Sequence, residues 1–103
     1  MNFVVKKISL AESDAAEAAV WYETQTPGAG GDFLAEAEAA IDSLQRNARF
    51  YAVRFADVHC LRLSRFKDYG VYYLIQGNEV LVLAVLHGAR EVEKLVLERK
   101  TRG

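Results

Sequence analysis

The hydrophobic pattern of this chain changes its period near residue 50, and this change constrains the fold more than any other feature. In the first half, apolar residues recur at helical spacing in two segments. In the second half, apolar residues alternate with other residues, as they do in strands. We therefore expect an α+β domain in which two helices lie across one face of an antiparallel sheet.

Two helices are predicted, roughly over residues 11–25 and 31–47. A short strand over residues 2–8 precedes them, and Ser9 is expected to cap the first helix. Between the helices the segment Pro27-Gly28-Ala29-Gly30-Gly31 predicts a short turn, so the helices should pack antiparallel. The segment is not a phosphate-binding loop, since no Lys-Ser/Thr pair completes it.

The sheet is predicted to consist mainly of residues 58–87. Gly77-Asn78 is typical of a two-residue hairpin turn, in which glycine supplies the positive φ at the first position. Val80–Leu86 is apolar on both faces, which predicts a central strand. Beyond His87 and Gly88, the spacing of three apolar residues predicts a short C-terminal helix, and these residues are Val92, Leu95 and Val96.

Length and composition limit the class of protein. A chain of 103 residues with 51% apolar residues fits one domain over residues 1–103. The single cysteine, Cys60, excludes an internal disulfide, and no metal-ligand spacing or cofactor motif is present. With no signal peptide and no apolar run of about 18 residues, we expect no membrane segment and a cytoplasmic location.

Charge is unevenly distributed although the net charge is only −1. Residues 1–50 carry four basic and eight acidic side chains, and residues 51–103 carry nine basic and six acidic ones. The second half therefore has a net charge of +3. Its cations either face an acidic protein or a phosphate backbone, or form ordinary solvated surface.

Four residues are candidates for catalysis. His87 ends the predicted last strand, and an imidazole exchanges protons near neutral pH, but it equally fits a hydrogen-bonded strand end. Arg62, Arg65 and Arg90 have the fork geometry that clamps a phosphate, or else lie on an outward strand face. Strand parity places Arg62 with Phe66 and puts Arg65 on the opposite face, which argues against one arginine cluster. His59 is a weaker candidate than His87.

The aromatic residues and the cysteine have a structural interpretation. Tyr69, Tyr72 and Tyr73 are expected to pack in the core or on the sheet rather than to stack on nucleic-acid bases. Trp21 and Tyr22 are expected to press the first helix onto the sheet. Cys60 is expected to be an inert, buried thiol, since no cationic neighbour in the sequence activates it.

Several local strings occur in an order that resembles the RelE/ParE toxin superfamily of bacterial type II toxin–antitoxin systems. The strings are Ala19-Val20-Trp21-Tyr22-Glu23, Pro27-Gly28-Ala29-Gly30 followed by Phe33-Leu34, Arg62-Leu63-Ser64-Arg65-Phe66, Tyr72-Tyr73, and Val82-Leu83-Ala84-Val85-Leu86-His87-Gly88. The resemblance covers nearly the whole chain. It implies a two-layer β-α-α-β-β-β fold with a short C-terminal helix.

Three positions depart from the pattern of the superfamily. Ala89 replaces the first of two arginines that follow the last string, which puts the activity of a toxin in question. Asn47-Ala48 stands where many members have Asn-Pro, and Lys67-Asp68-Tyr69 where many have Phe-Pro-Tyr. The last two departures affect the boundaries of elements more than the fold.

The resemblance implies a toxin that a cognate antitoxin neutralises, and it leaves two mechanisms open. ParE-like members inhibit DNA gyrase through a protein contact and need no catalytic residues. RelE-like members cleave mRNA on the ribosome and need acid, base and cationic groups around one phosphate. The Pro-Gly-Ala-Gly loop and the His-Gly-Ala-Arg ending are more similar to the ParE side. A homodimer and a toxin–antitoxin hetero-oligomer are both compatible with the sequence.

The C-terminal segment is predicted to contact a partner. Its apolar stripe is too small to form a core and lies beside basic residues. An antitoxin tail that folds on binding would cover the stripe while its acidic side chains meet the cations. The predicted contact residues for the antitoxin or the target are Arg90, Val92, Lys94, Leu95 and Val96.

Overall fold

A computed structural model describes residues 2–102, apart from the side chain of Arg102. Met1 and Gly103, which belong to the predicted domain, lie outside the described residues. A short 3₁₀ turn, Ala48–Phe50, connects the second helix to the second strand. The elements are β1 (Val4–Lys7), α1 (Ser9–Gln25), α2 (Ala29–Asn47), β2 (Val53–Phe55), β3 (Val58–Arg62), β4 (Tyr69–Gln76), β5 (Glu79–His87) and α3 (Val92–Arg102).

The strands form one five-stranded sheet in the order β1-β5-β4-β3-β2. Neighbouring strands from β2 to β5 are antiparallel, and β1 pairs in parallel with β5. The predicted α+β class is confirmed, with a parallel edge strand and the three-residue β2 completing the sheet. Gly77 has a φ of 63° and forms the predicted turn between Gln76 and Glu79.

The turn between α1 and α2 is held by one carboxylate. Glu23 accepts hydrogen bonds of 2.9 Å from the backbone N–H groups of both Gly28 and Gly30, and these bonds lower its pKa. A Cβ on Gly30 would lie 2.5 Å from the carbonyl oxygen of Ala19, so the two helices approach too closely for a side chain there. Helix α2 consequently begins at Ala29, two residues before the predicted start.

The predicted cap of α1 is wrong. Ser9 is the first residue of the helix, and Ile8 occupies the cap position without a side-chain hydrogen bond. The reason is that the N–H of Ile8 still pairs with the carbonyl of Val82, 3.1 Å away, so the chain leaves the sheet directly into the helix.

The two helices and the sheet enclose the larger core. Helices α1 and α2 contribute Ala11, Ala18, Phe33, Ile41 and Leu44 to it, and the sheet contributes alternate residues of its central strands. At the end of α2, the buried hydroxyl of Tyr73 donates a 2.6 Å hydrogen bond to the carbonyl of Ala48. This face of the sheet matches the predicted two-layer packing.

Helix α3 packs on the opposite face of the sheet. Its Val96 is fully buried in a second cluster with Tyr72, Leu83 and Leu86. Because α3 contacts the sheet mainly through β5, the face of β2, β3 and β4 beside it is left without a helix. The C-terminal helix therefore adds a partial third layer.

A bulge in β5 creates the main polar link between the layers. Tyr72 pairs with Ala84 and Tyr73 with Val82, so Leu83 is an extra residue. The Leu83 carbonyl accepts a 3.0 Å hydrogen bond from Arg99 of α3. The N–H of Val85 donates a 3.0 Å hydrogen bond to the Asp14 carboxylate of α1.

The two side chains also bind each other. The Arg99 guanidinium contacts the two Asp14 carboxylate oxygens at 2.5 and 3.1 Å. The side chains of Arg99 and Asp14 are only 12% and 8% exposed. We call this ion pair and its two backbone bonds the clamp. It joins α1 and α3, which lie on opposite faces of the sheet.

None of the helices in residues 2–102 has both the length and the apolar character that a membrane span requires.

The clamp is expected to contribute strongly to stability. Replacing Asp14 by Ala leaves Arg99 buried without its counterion and should lower the free energy of unfolding by about 3 kcal/mol. The matched control is Asp57→Ala, which breaks the exposed Asp57–Lys100 pair and should cost much less, because solvent screens that pair. Urea unfolding followed by circular dichroism measures both changes. Equal losses of unfolding free energy would show that the buried clamp stabilises the domain no more than an exposed ion pair does.

Candidate functional site

An open groove of about 670 Å³ lies beside α3. It lies where the sheet face is not covered by the helix. The lining residues are Arg54, Phe55, Tyr72, Gly88, Arg90, Glu91, Val92, Glu93, Lys94 and Leu97. We call this cavity the α3 groove.

The α3 groove combines an aromatic floor with unpaired cations. The rings of Phe55 and Tyr72 are stacked with centroids 6.3 Å apart. Arg54, Arg90 and Lys94 are exposed, and none of them forms an ion pair within residues 2–102. Glu91 and Glu93 also line the groove, so its cations outnumber its acids by one. The aromatic floor and the cations suit a partner with apolar and acidic side chains.

Arg54 and Arg62 lie near the Tyr72 hydroxyl of the groove. Burial raises the pKa of Tyr72 to about 12, although the nearby charges of Arg54 and Arg62 act in the opposite direction. Burial also raises the pKa of the neighbouring Cys60 thiol. Arg62 alternates along β3 with Val58 and Cys60, which belong to the cluster on the α3 face. Cys60 is half-buried and not fully buried as predicted, and Arg54 and Arg62 are cationic neighbours that the sequence does not reveal.

The predicted C-terminal contact surface is only partly available. The expectation that its apolar stripe lies bare is wrong, because Val96 is fully buried and Val92 and Leu95 pack against the same cluster. The stripe covers the sheet of its own chain. Arg90 and Lys94 remain exposed at the groove, and a contact role for them is still a prediction.

The four catalytic candidates do not converge on one place. Arg62 alternates along β3 with Val58 and Cys60 of the α3 face, whereas Arg65 forms a 3.2 Å ion pair with Asp32 at the start of α2. Strand parity fails beyond Arg62 because β3 ends there, so Phe66 packs into the larger core and does not share a face with Arg62. His87 and Arg90 line a common cavity.

Both histidines have hydrogen-bond partners. The Nδ1 atom of His87 accepts a 3.0 Å bond from the N–H of Ala89, and its Nε2 lies 3.8 Å from Asp68. The Nδ1 atom of His59 donates to the carbonyl of Tyr51 at 2.7 Å, and its ring stacks on Tyr73. These contacts position the ends of β5 and β3.

A smaller cavity of about 170 Å³ lies between α1 and the end of β5. Trp21 forms one wall of it, together with Glu17, Tyr69, His87 and Arg90. The prediction that Trp21 presses on the sheet is wrong, since its side chain is 55% exposed. Tyr22 takes that place instead and packs between the rings of Phe33 and Phe66.

Sequence patterns give little warning of some of these residues. Phe55 belongs to a strand of only three residues, too short for alternation to be visible.

Among residues 2–102, no group of three or more His, Cys, Asp or Glu side chains is arranged to hold a metal ion.

Comparison with known proteins identifies related sequences and folds. A family model described as the ParE toxin of the type II toxin–antitoxin system parDE matches residues 9–92. A solved structure described as a chromosomal ParDE TA system from P. aeruginosa superposes with a TM-score of 0.72. That match is 19% identical and covers 82% of this chain and 95% of the other, so it shows a common fold. No curated protein matches the sequence significantly.

Cys60 is expected to react slowly. Because burial raises the pKa of its thiol, less of the reactive thiolate is present at pH 8 than in an unfolded chain. Alkylation by iodoacetamide at pH 8 should be at least about tenfold slower in the folded protein than in urea. Equal rates, followed by mass spectrometry, would show that the thiol is accessible and ionised.

Proposed function

The chain belongs to the ParE toxin family of type II toxin–antitoxin systems, and on that basis we propose that it arrests growth by binding DNA gyrase. In this proposal a cognate antitoxin neutralises the toxin. The toxin acts as a protein inhibitor and not as an enzyme. Gyrase as the target makes the bacterial cytoplasm the place of action.

The observation that carries the proposal is the family match over residues 9–92. It extends from the first turn of α1 to the start of α3, so it includes all the elements that line the small cavity. The structural likeness to the ParDE system from P. aeruginosa supports an antitoxin partner for this chain as well.

The positions of the candidate residues also support inhibition by binding. Cleavage of RNA requires an acid, a base and cations within hydrogen-bond reach of one phosphate. Arg62 lies in β3, which ends there, and Arg65 beyond the strand is engaged by Asp32. The nitrogens of His87 face Ala89 and Asp68. A contact with a protein target needs no such convergence.

A ribosome-dependent mRNA endoribonuclease is the second candidate function. The observation that favours it is that His87 and Arg90 line the same cavity, where an imidazole and a guanidinium would meet one phosphate.

The α3 groove is the proposed docking site of the antitoxin. Its lining carries three cations, Arg54, Arg90 and Lys94, against two acids, Glu91 and Glu93, around an apolar floor. An acidic segment with apolar side chains that meets the cations is therefore the matching partner. Val92 lines the groove, Leu95 packs against the second cluster, and the buried Val96 supports the helix from within.

Expression without an antitoxin distinguishes the two functions. If the toxin binds gyrase, induction in a bacterial host should stop growth and trigger a DNA-damage response while a reporter mRNA stays intact. Primer extension on the reporter and a damage-response promoter fusion provide the two measurements. Cleavage of the reporter on the ribosome, lost in the His87→Ala variant, would instead establish the endoribonuclease.

Charge reversal in the α3 groove tests the antitoxin site. Lys94→Glu and Arg54→Glu should each slow association with the antitoxin by about tenfold at low salt, since rim charges act mainly on the association rate. Lys67→Glu is the matched control, because Lys67 is exposed but does not line the groove. Stopped-flow association at two salt concentrations gives the rates. If the control slows association equally, net charge alone is responsible.

A further inference from the structure

Helix α1 exposes two large apolar side chains that its own fold does not use. Val20 is 64% exposed and Trp21 is 55% exposed. Tryptophan is among the most buried residues on average, and together with tyrosine and arginine it dominates the energetic centres of protein interfaces. An exposed tryptophan beside an exposed arginine is therefore a marker of an interaction surface.

Aromatic contacts connect Trp21 to the end of the sheet. Its ring meets Tyr22 edge to face at 5.1 Å, Tyr22 lies 5.8 Å from Tyr69, and Tyr69 lies 5.2 Å from His87. These contacts hold the walls of the 170 Å³ cavity in place. We define the Trp21 surface as the cavity residues Trp21, Tyr69, His87 and Arg90 together with Val20, the exposed residue before Trp21 on α1.

Separate parts of the chain build the Trp21 surface. Val20 and Trp21 belong to the first string that resembles the toxin superfamily, and His87 belongs to the last. Arg90 follows that last string by two residues. Val20, Trp21 and Arg90 are exposed and belong to neither core cluster, whereas Tyr69 packs against the larger one.

Arg90 is the fixed cation of the Trp21 surface, and the exposed carboxylate of Glu17 also lines the cavity. Asp14 also lines the cavity, but its charge is taken up by Arg99 within the clamp. Arg90 has no ion-pair partner in the part of the chain that the structure describes, and its charge acts on the neighbouring Tyr69 hydroxyl. The complementary partner presents an apolar side chain to Trp21 and a carboxylate to Arg90.

Arg90 also belongs to the α3 groove. It lines both cavities, so the Trp21 surface and the groove are continuous around the end of β5. A partner bound in the groove and a partner bound on the Trp21 surface would compete for the same guanidinium.

We propose that the Trp21 surface is the contact surface for the protein target of the toxin, and that the antitoxin neutralises by engaging Arg90 from the adjoining α3 groove. This inference rests on the proposed function, since it requires a protein target and an antitoxin. The target presents an apolar side chain and an acidic one to α1 and the β5–α3 turn.

Substitution of Trp21 tests the proposal in cells and with purified proteins. Trp21→Ala should weaken binding of gyrase by about 30-fold and abolish growth arrest, because truncating a central interface tryptophan has effects of that size. Binding of the antitoxin, tested with the protein encoded by the neighbouring gene, should stay within about twofold of the parent, because Trp21 does not line the groove.

Two further variants make the result specific. Phe50→Ala removes another exposed aromatic side chain, 82% exposed and outside the Trp21 surface, and should leave growth arrest unchanged. Val20→Ser changes the Trp21 surface without removing a ring contact and should reduce growth arrest. Thermal unfolding of each variant, compared with the parent, shows that the domain is folded.

Three results would overturn the proposal. Folded Trp21→Ala and Val20→Ser variants that arrest growth as well as the parent show that the surface does not contact the target. A loss of antitoxin binding as large as the loss of gyrase binding assigns the surface to the antitoxin. A parent dimer in sedimentation velocity that Trp21→Ala dissociates assigns it to a second copy. If the parent arrests growth without binding gyrase, the proposed target is wrong, and the growth assay still decides whether the Trp21 surface is required.

Discussion

The arrangement of this domain depends on how the backbone N–H and C=O groups in the last half of strand β5 find hydrogen-bond partners. Strand β1 pairs with β5 only as far as Val82, and the bulge at Leu83 interrupts the hydrogen-bond pairing of β5 with β4. Arg99 and Asp14 supply the missing partners and bind each other, so helices from both faces of the sheet meet at one point. The end of β5 is fixed in this way, and with it the positions of His87 and Arg90.

Sequence patterns predicted the parts of the fold that local interactions determine. Helical spacing located α1 and α2, and Gly77 located the hairpin between β4 and β5. The clamp has no local signal, because Asp14 and Arg99 are 85 residues apart. The parallel pairing of β1 is likewise a long-range contact. The face that α3 covers depends on such contacts and not on its own apolar stripe.

The candidate site was predictable to a lesser degree. His87 and Arg90 meet because they are close in sequence, whereas Arg62 and Arg65 separate because β3 ends between them. Trp21 was assigned to the wrong face, although its neighbour Tyr22 continues the helical spacing of Ala11, Ala15 and Ala18 and Trp21 lies about 100° away from it. The position of each residue around the helix axis therefore predicts that Tyr22 is buried and Trp21 is not, even though both side chains are aromatic.

The central claim is that this toxin inhibits by occupying a protein surface, with its exposed side chains acting as contacts and not as catalysts. Titration of the purified toxin into a gyrase supercoiling assay tests this claim most directly. An inhibitor that acts by binding should reduce activity in proportion to the toxin added and reach its limit at a fixed molar ratio to gyrase. Gyrase that stays fully active at saturating toxin, while trace toxin cleaves many mRNA molecules on ribosomes, would contradict the account.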